Sequence, residues 1–318
     1  MITGSWGFIL NLLSMAALLG LASAVFQLLT APLIIRAKNR VDPLEQKWLI
    51  LSWAVLPWTM TLLLFVEGGI ALPDDHNTVH GALGLIHWHH ADEFVISAWH
   101  SWFLSAVGLW LTLRMGQFAY QQWRVRQQLK LLREQAQTTS NSAFRTLPTR
   151  DVVAMAAGYF RPDIYLSQGL LNQTTPDQQA IIIAHEQAHI RQFDNLSRWL
   201  LMLFICPLPG FVRTPILNCF TLVTEQLADR RVTRNAEAAD IAETLVKIAR
   251  LRHRINKPGQ AAFVAAEQLR ERVCELLTPS RPSALKLGLL PLAILLTATA
   301  VLSATDALHH FFDIFLVH

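Results

Sequence analysis

From Ala180 to Leu196 the chain reads AIIIAHEQAHIRQFDNL. His185 and His189 stand one helical turn apart, so on a helix both imidazoles leave the same face and can bind one ion, with Glu186 beside them. In a chain with twelve histidines such a pattern can arise by chance, and its plainer reading is two satisfied core histidines. The surroundings argue against that. Ile181, Ile182 and Ile183 make this a buried or cleft-lining stretch. Just upstream, Thr175-Pro176-Asp177-Gln178 combines an N-cap residue, Pro at the first helical position and Gln at the capping-box position, which predicts that a helix begins there. Downstream, TEQLADRR (224–231) sets Glu225 and Asp229 one turn apart on a second helix. Alone, that pair is an ordinary solvated helix face. Beside H-E-x-x-H, Glu225 completes a two-histidine, one-carboxylate site for Zn2+ with a coordination position left for water. Asp229 is then placed to accept the free ring N–H of a ligating His and fix its tautomer.

The chemistry expected of such a set is peptide hydrolysis. Zinc lowers the pKa of a bound water from about 15.7 toward about 7 and polarises the scissile carbonyl. Glu186 is the expected base, taking that proton and returning it to the leaving amine. Candidates for stabilising the oxyanion are Tyr165, His253 and Arg272, each with a more ordinary reading as a strand, surface or helix-face residue. Around Asp163 to Ser167 the alternation in PDIYLS predicts a short strand.

Composition places this chemistry in a membrane protein. Hydrophobic residues make up 52% and charged residues 16% of the 318, and mean hydropathy is +0.31, too apolar for an ordinary soluble domain. Four uncharged runs, Met1 to Ile35, Trp48 to Val66, Phe94 to Leu113 and Leu287 to Thr305, approach the roughly 20 residues of a spanning helix. Arg36, Lys38, Arg40 and Lys47 lie between the first two, and Arg114, Arg124, Arg126, Lys130 and Arg133 follow the third. Arg281 and Lys286 precede the fourth, whereas 67–93 carries only acidic residues and histidines. Lys and Arg mark the cytoplasmic side, so both termini are expected outside. The fold class expected is mainly α: a polytopic membrane protein with four transmembrane helices and a cytoplasmic α+β zinc protease domain between the third and fourth. Its parts are a membrane domain (1–123), the protease domain (124–284), and a last helix with a short outer tail (285–318). A basic amphipathic helix from Trp123 to Gln137 and a linker at Thr138 to Ser142 open the protease domain. The apolar stretch from Trp199 to Val223 cannot cross the bilayer without parting Glu225 from His185, so it predicts a helical hairpin, buried in the domain or dipping into the near leaflet. Cys206, Cys219 and Cys274 read as buried thiols. No nucleic-acid-binding motif is present, and the net charge of +4 is distributed by membrane side.

The segments GYFRPDIYLSQGLL, HEQAHIRQFDNL and EQLADRRV resemble the BlaR/MecR-type antirepressor metallopeptidases, membrane gluzincins with three spans before the zinc motif and one after. The resemblance is specific over 158–234. It implies that His185, His189 and Glu225 bind zinc, that Glu186 is the base, and that Asp194 helps organise the site, a helix-end role being the alternative. It also implies that the strand carrying Ile164, Tyr165 and Leu166 is the edge strand against which an extended substrate lies. The implied location is a bacterial inner membrane and the implied substrate a protein, such as a cytoplasmic repressor, cut in response to an external signal. The chain departs from the beta-lactam receptors of that family, whose large sensor domain has no counterpart in 306–318. A quality-control protease resembling HtpX is the second reading. A non-enzymatic membrane transducer with a structural zinc site is the third, against which the open coordination position argues. In the outer loop His76, His80, His87, His89 and His90, with Asp74, Asp75, Asp92 and Glu93, form a candidate metal sensor; the alternative is a merely polar or pH-responsive connector.

Overall fold

The computed structural model describes residues 1–36, 41–70, 79–80, 87–88, 93–97, 99–138, 143–255 and 260–278. The chain is mainly helical. Its elements in order are β1 (Ile2–Thr3), α1 (Ser5–Arg36), α2 (Pro43–Ile70), β2 (Val79–His80), β3 (His87–Trp88), β4 (Glu93–Phe94), α3 (Trp99–Gln135), β5 (Gln137–Thr138), β6 (Arg145–Leu147), β7 (Ala154–Ala157), β8 (Asp163–Ser167), α4 (Gln168–Leu171), α5 (Pro176–Arg191), α6 (Asp194–Phe204), α7 (Gly210–Val232), α8 (Ala238–Ile255) and α9 (Gln260–Leu277).

Among the described residues, α1 is long and apolar enough to cross a bilayer. It packs antiparallel on α2, and the contact is stitched by polar groups that the helix chemistry requires. Pro57 has no N–H to give the carbonyl one turn back. Gln27, fully buried in α1, supplies the missing donor: its Nε2 donates to Trp53 O (3.3 Å) and Ala54 O (3.0 Å). Trp53 Nε1 in turn donates to Thr30 Oγ1 at 2.9 Å. β1 pairs with β4, Ile2 opposite Phe94, so the N-terminus and the end of the histidine-rich loop meet at one end of the helices. The third expected span and the basic helix expected after it form one continuous helix, α3, because nothing between Leu113 and Trp123 breaks the helical backbone. The fourth expected span, 287–305, lies outside the described residues.

The 199–223 stretch is a helical hairpin, α6 and α7, turned through Pro207, Pro209 and Gly210. It lies against the first two helices: Leu201, Ile205, Val212, Ile216 and Phe220 share a core with Ala31, Ile50 and Trp53. Trp58 Nε1 donates to Phe204 O at 2.9 Å, and Arg114 of α3 donates to Leu208 O at 2.9 Å, which pins the hairpin turn between α2 and α3. Cys206 and Cys219 are buried as expected, but Cys274 is exposed, since it faces away from the α8–α9 contact formed by Leu276 and Val273.

The main sheet has the order β5-β6-β8-β7. The expected strand over Asp163 to Ser167 forms within those bounds, but it is not an edge. Arg145–Leu147 pairs with it in parallel on one side and Ala154–Ala157 antiparallel on the other, so both rows of its backbone groups are taken. The edge strands are β5 and β7, and β7 is the one beside β8. Ile164, Tyr165 and Leu166 are correspondingly buried in the interior, and none can receive a substrate strand. Gly158 turns β7 into β8 at φ +120, where an added Cβ would stand 2.9 Å from Arg161 O.

Candidate metal centre

α5 starts where local chemistry dictates. Gln178 N–H donates to Thr175 Oγ1 (3.3 Å), while Thr175 N–H donates to Gln178 Oε1 (3.2 Å), and Pro176 occupies the first turn. The helix then buries Ile182 against Ile164 and Leu166 of β8 and Leu170 of α4, which turns His185, Glu186 and His189 toward α7. α7 brings Glu225 and Asp229 to meet them.

The Nε2 atoms of His185 and His189 are 3.1 Å apart. Glu225 reaches both, with Oε2 3.3 Å from His185 Nε2 and Oε1 3.6 Å from His189 Nε2. Ligand atoms held at about 2.0–2.1 Å around one tetrahedral ion stand about 3.3 Å from one another, so the set has the spacing of a zinc site. The far nitrogens are equally engaged: His185 Nδ1 donates to Asp229 Oδ1 at 2.9 Å and His189 Nδ1 to Asp194 Oδ2 at 2.8 Å. Each ring is thereby held with Nε2 as the ligating atom, an arrangement that second carboxylates give metal-binding histidines. Among the described residues these three form the group able to hold a metal.

Arg272 of α9 balances the charge of the two carboxylates. Its Nη1 lies 2.8 Å from Glu225 Oε2, and its Nε and Nη2 lie 2.7 and 2.8 Å from the two oxygens of Asp229. Burial opposes ionisation of Glu225 and Asp229, but the guanidinium and the His185 contact outweigh it and hold both below the usual carboxylate range. Burial also opposes a charge on His185. The hydrogen bonds and charges of Asp229 and Glu225 win, raising it to about 10.

These groups open into a cavity of 1380 Å³ between the sheet and α5 to α9, with Glu186 and the ligands on one wall and β7 on another. Of the proposed oxyanion donors, Arg272 lines this cavity but its guanidinium is committed to Glu225 and Asp229. Tyr165 does not serve. It is buried on the opposite side of the sheet with Leu147 and Leu129, because successive side chains on β8 alternate in direction. The side chain of His253 lies outside the described residues. Asp194 stands in the first turn of α6 and accepts from His189 Nδ1. Of the outer histidines, His80 and His87 stand opposite each other in the β2–β3 ladder, while His76, His89 and His90 lie outside the described residues.

Three features of the site were not read from the sequence. The edge strand Ala154–Ala157 has no polar or aromatic signal. Asn195 donates to Ala156 O (2.9 Å) and Gly158 O (3.1 Å), tying that edge to the start of α6. Arg198 lines the cavity and donates to Thr221 Oγ1; burial lowers its pKa, against the charge of Glu225. Its spacing of four residues from Asp194 is the one signal that could have placed it on the site's face.

A comparison with curated proteins finds no match. The family described as BlaR1 peptidase M56 matches residues 99–276, more than half of the chain, spanning α3 through all the site residues to α9. With that extended match and the His-His-Glu cluster at its centre, the chain belongs to the BlaR1 peptidase M56 family of membrane-associated metallopeptidases.

Proposed function

We propose that the chain is a membrane-embedded zinc endopeptidase in which His185, His189 and Glu225 hold the ion and Glu186 is the general base. The observation that carries this reading is the convergence of two Nε2 atoms and a carboxylate, each ring backed by its own carboxylate, on the wall of a cavity that also contains Glu186. Zinc, when bound, would supply an acidified water and polarise the scissile carbonyl. Glu186 would take the proton from the attacking water and hand it to the leaving nitrogen. The substrate would lie extended along β7. Ser167 N–H donates to Val153 O, and alternation then turns the backbone groups of Ala154 and Ala156 outward to the cavity. Asn195 already occupies Ala156 O, leaving Ala154 and the Ala156 N–H to pair with substrate.

The hairpin's packing on α1 and α2, and the exposed Trp102, Leu109, Leu113, Tyr120 and Trp123 along α3, support a site held close to a bilayer surface; the multi-pass topology with both termini outside that we infer rests on the distribution of Lys and Arg between the apolar runs. The substrate we infer is a cytoplasmic protein, a transcriptional repressor by analogy, with the outer histidine loop as input. The test is Glu186→Gln in the purified full-length protein. It should retain one zinc per chain and lose cleavage of a fluorogenic peptide library, because the change removes a base and no ligand. Cleavage at the wild-type rate would refute the assignment.

A further inference from the structure

We propose that Lys47, near the start of α2, is a positioning residue for the metal centre, acting through Asp194 on the ligand His189. The inference rests on the assignment of His189 as a ligand. It concerns a residue outside the segment that matches the family, 99–276, and from a helix of the apolar N-terminal part.

The Asp194 carboxylate is shared. One oxygen accepts from His189 Nδ1 at 2.8 Å, and the other accepts from Lys47 Nζ at 2.5 Å. Both side chains are buried, 6% exposed for Lys47 and 7% for Asp194, so water does not screen the pair and neither charge has a solvent alternative. Lys47 Nζ also donates to Gln192 O at 3.2 Å, one of the carbonyls that the end of α5 leaves without an intrahelical partner. Between these two contacts lies Phe193 in the left-handed conformation, φ 52, which is unfavourable for a bulky residue and persists only where its surroundings dictate it. Lys47 therefore clamps both sides of the corner at which α5 ends and α6 begins. That corner sets the direction of Asp194, and Asp194 sets the rotation of the His189 ring.

The same end of α2 holds the other ligand-bearing helix. Gln46 Nε2 donates to Cys219 Sγ of α7 at 3.2 Å, and Arg230 of α7 donates to Asp42, just before α2, at 2.7 Å and to Glu275 of α9 at 2.7 Å. Glu225 and Asp229 lie between Cys219 and Arg230 on α7. One short stretch, 42–47, thus touches the element carrying Glu225 and the corner carrying Asp194. A shift of α2 would move the two halves of the ligand set together, and Lys47 is the link to the histidine half.

The experiment measures the zinc dissociation constant of the full-length protein in detergent by chelator competition, with the visible spectrum of the cobalt-substituted protein as an independent readout. Lys47→Met keeps an unbranched side chain, one heavy atom shorter, and removes the donor. It should weaken zinc binding by about 10- to 100-fold, the range for losing an outer partner of a ligating His, and alter the cobalt bands. Lys47→Arg, which retains charge and donors, should stay within about threefold of wild type. In an Asp194→Asn background, Lys47→Met should cost little more, because the path through the carboxylate is already weakened. Wild-type affinity in Lys47→Met, a loss in Lys47→Arg as large as in Lys47→Met, or an equal loss with and without Asp194→Asn would each overturn the proposal. His189→Ala separates this from the underlying assignment. If it binds zinc like wild type, the ligand set is wrong; if it loses zinc while Lys47→Met keeps it, Lys47 alone is misassigned.

Discussion

Replacing Asp229 with Ala strikes the metal centre at its most buried charge. Asp229 is 1% exposed, accepts from His185 Nδ1 at 2.9 Å and receives Arg272 through two hydrogen bonds of 2.7 and 2.8 Å. Two losses follow and they are read separately. Without its carboxylate the His185 ring is free to rotate, and zinc affinity should fall by about 10- to 100-fold, which is about 1.4–2.7 kcal/mol. The second loss falls on the metal-free protein. Breaking a buried ion pair from one side costs about 3–5 kcal/mol. Arg272 keeps Glu225 at 2.8 Å, so the lower end, about 3 kcal/mol, is the expected destabilisation. A domain with the usual stability of about 5–15 kcal/mol still folds after that loss, so the two effects can be measured on one protein. Asp229→Asn retains an acceptor for both partners and should lose less than tenfold in affinity. The assays are chelator competition at neutral pH and thermal unfolding of the metal-free form. If Asp229→Ala folded and bound zinc within threefold of wild type, Asp229 would not orient His185. An unchanged melting temperature would refute the account of the Arg272 network.

Burial alone would lower the pKa of His185, but Asp229 and Glu225 raise it to about 10 from 6.5, so in the metal-free protein its proton contributes stability that is complete below 6.5 and lost as pH rises through about 10. Zinc needs the neutral ring, so binding at neutral pH should release a proton and strengthen as pH rises; calorimetry in buffers of different ionisation enthalpy that detected no released proton would contradict this. Gly169→Ala would place a Cβ 2.0 Å from Arg150 O and 2.5 Å from its carbonyl carbon, a backbone collision expected to cost about 3 kcal/mol and to lower the melting temperature by about 6–12 °C. A melting temperature equal to wild type would deny that close approach. In a Cys274→Ser background, chosen because Cys274 is exposed, cysteines introduced at Thr78 and at Ser140 should label from opposite sides of the membrane; labelling from one side would overturn the proposed topology.

Much of the site was legible because its signals are local. The Thr175 to Gln178 capping box marks the start of α5 through contacts within four residues, and the i, i+4 spacing of His185 and His189 fixes their common face. The bounds of β8 follow from alternation over Asp163 to Ser167. The proline-rich turn after Phe204 and the need to keep Glu225 near His185 were enough to infer the hairpin. Alternation does not reveal strand order, however. β8 lost its expected place at the edge because β6, 16 residues earlier at Leu147 to Asp163, pairs with it in parallel, and parallel pairing leaves no turn signature in the sequence.

Residue types and short spacings in the sequence alone determined which side chains could hold a metal and which glutamate could act as base. Tertiary structure alone decided that Arg272 neutralises the carboxylates, that Ala154–Ala157 offers the open edge, and that Lys47 reaches Asp194 across 147 positions of chain. The physical reason is that local hydrogen bonding and periodicity act over a helical turn or a strand, whereas charge pairing and strand order depend on which distant surfaces are buried together.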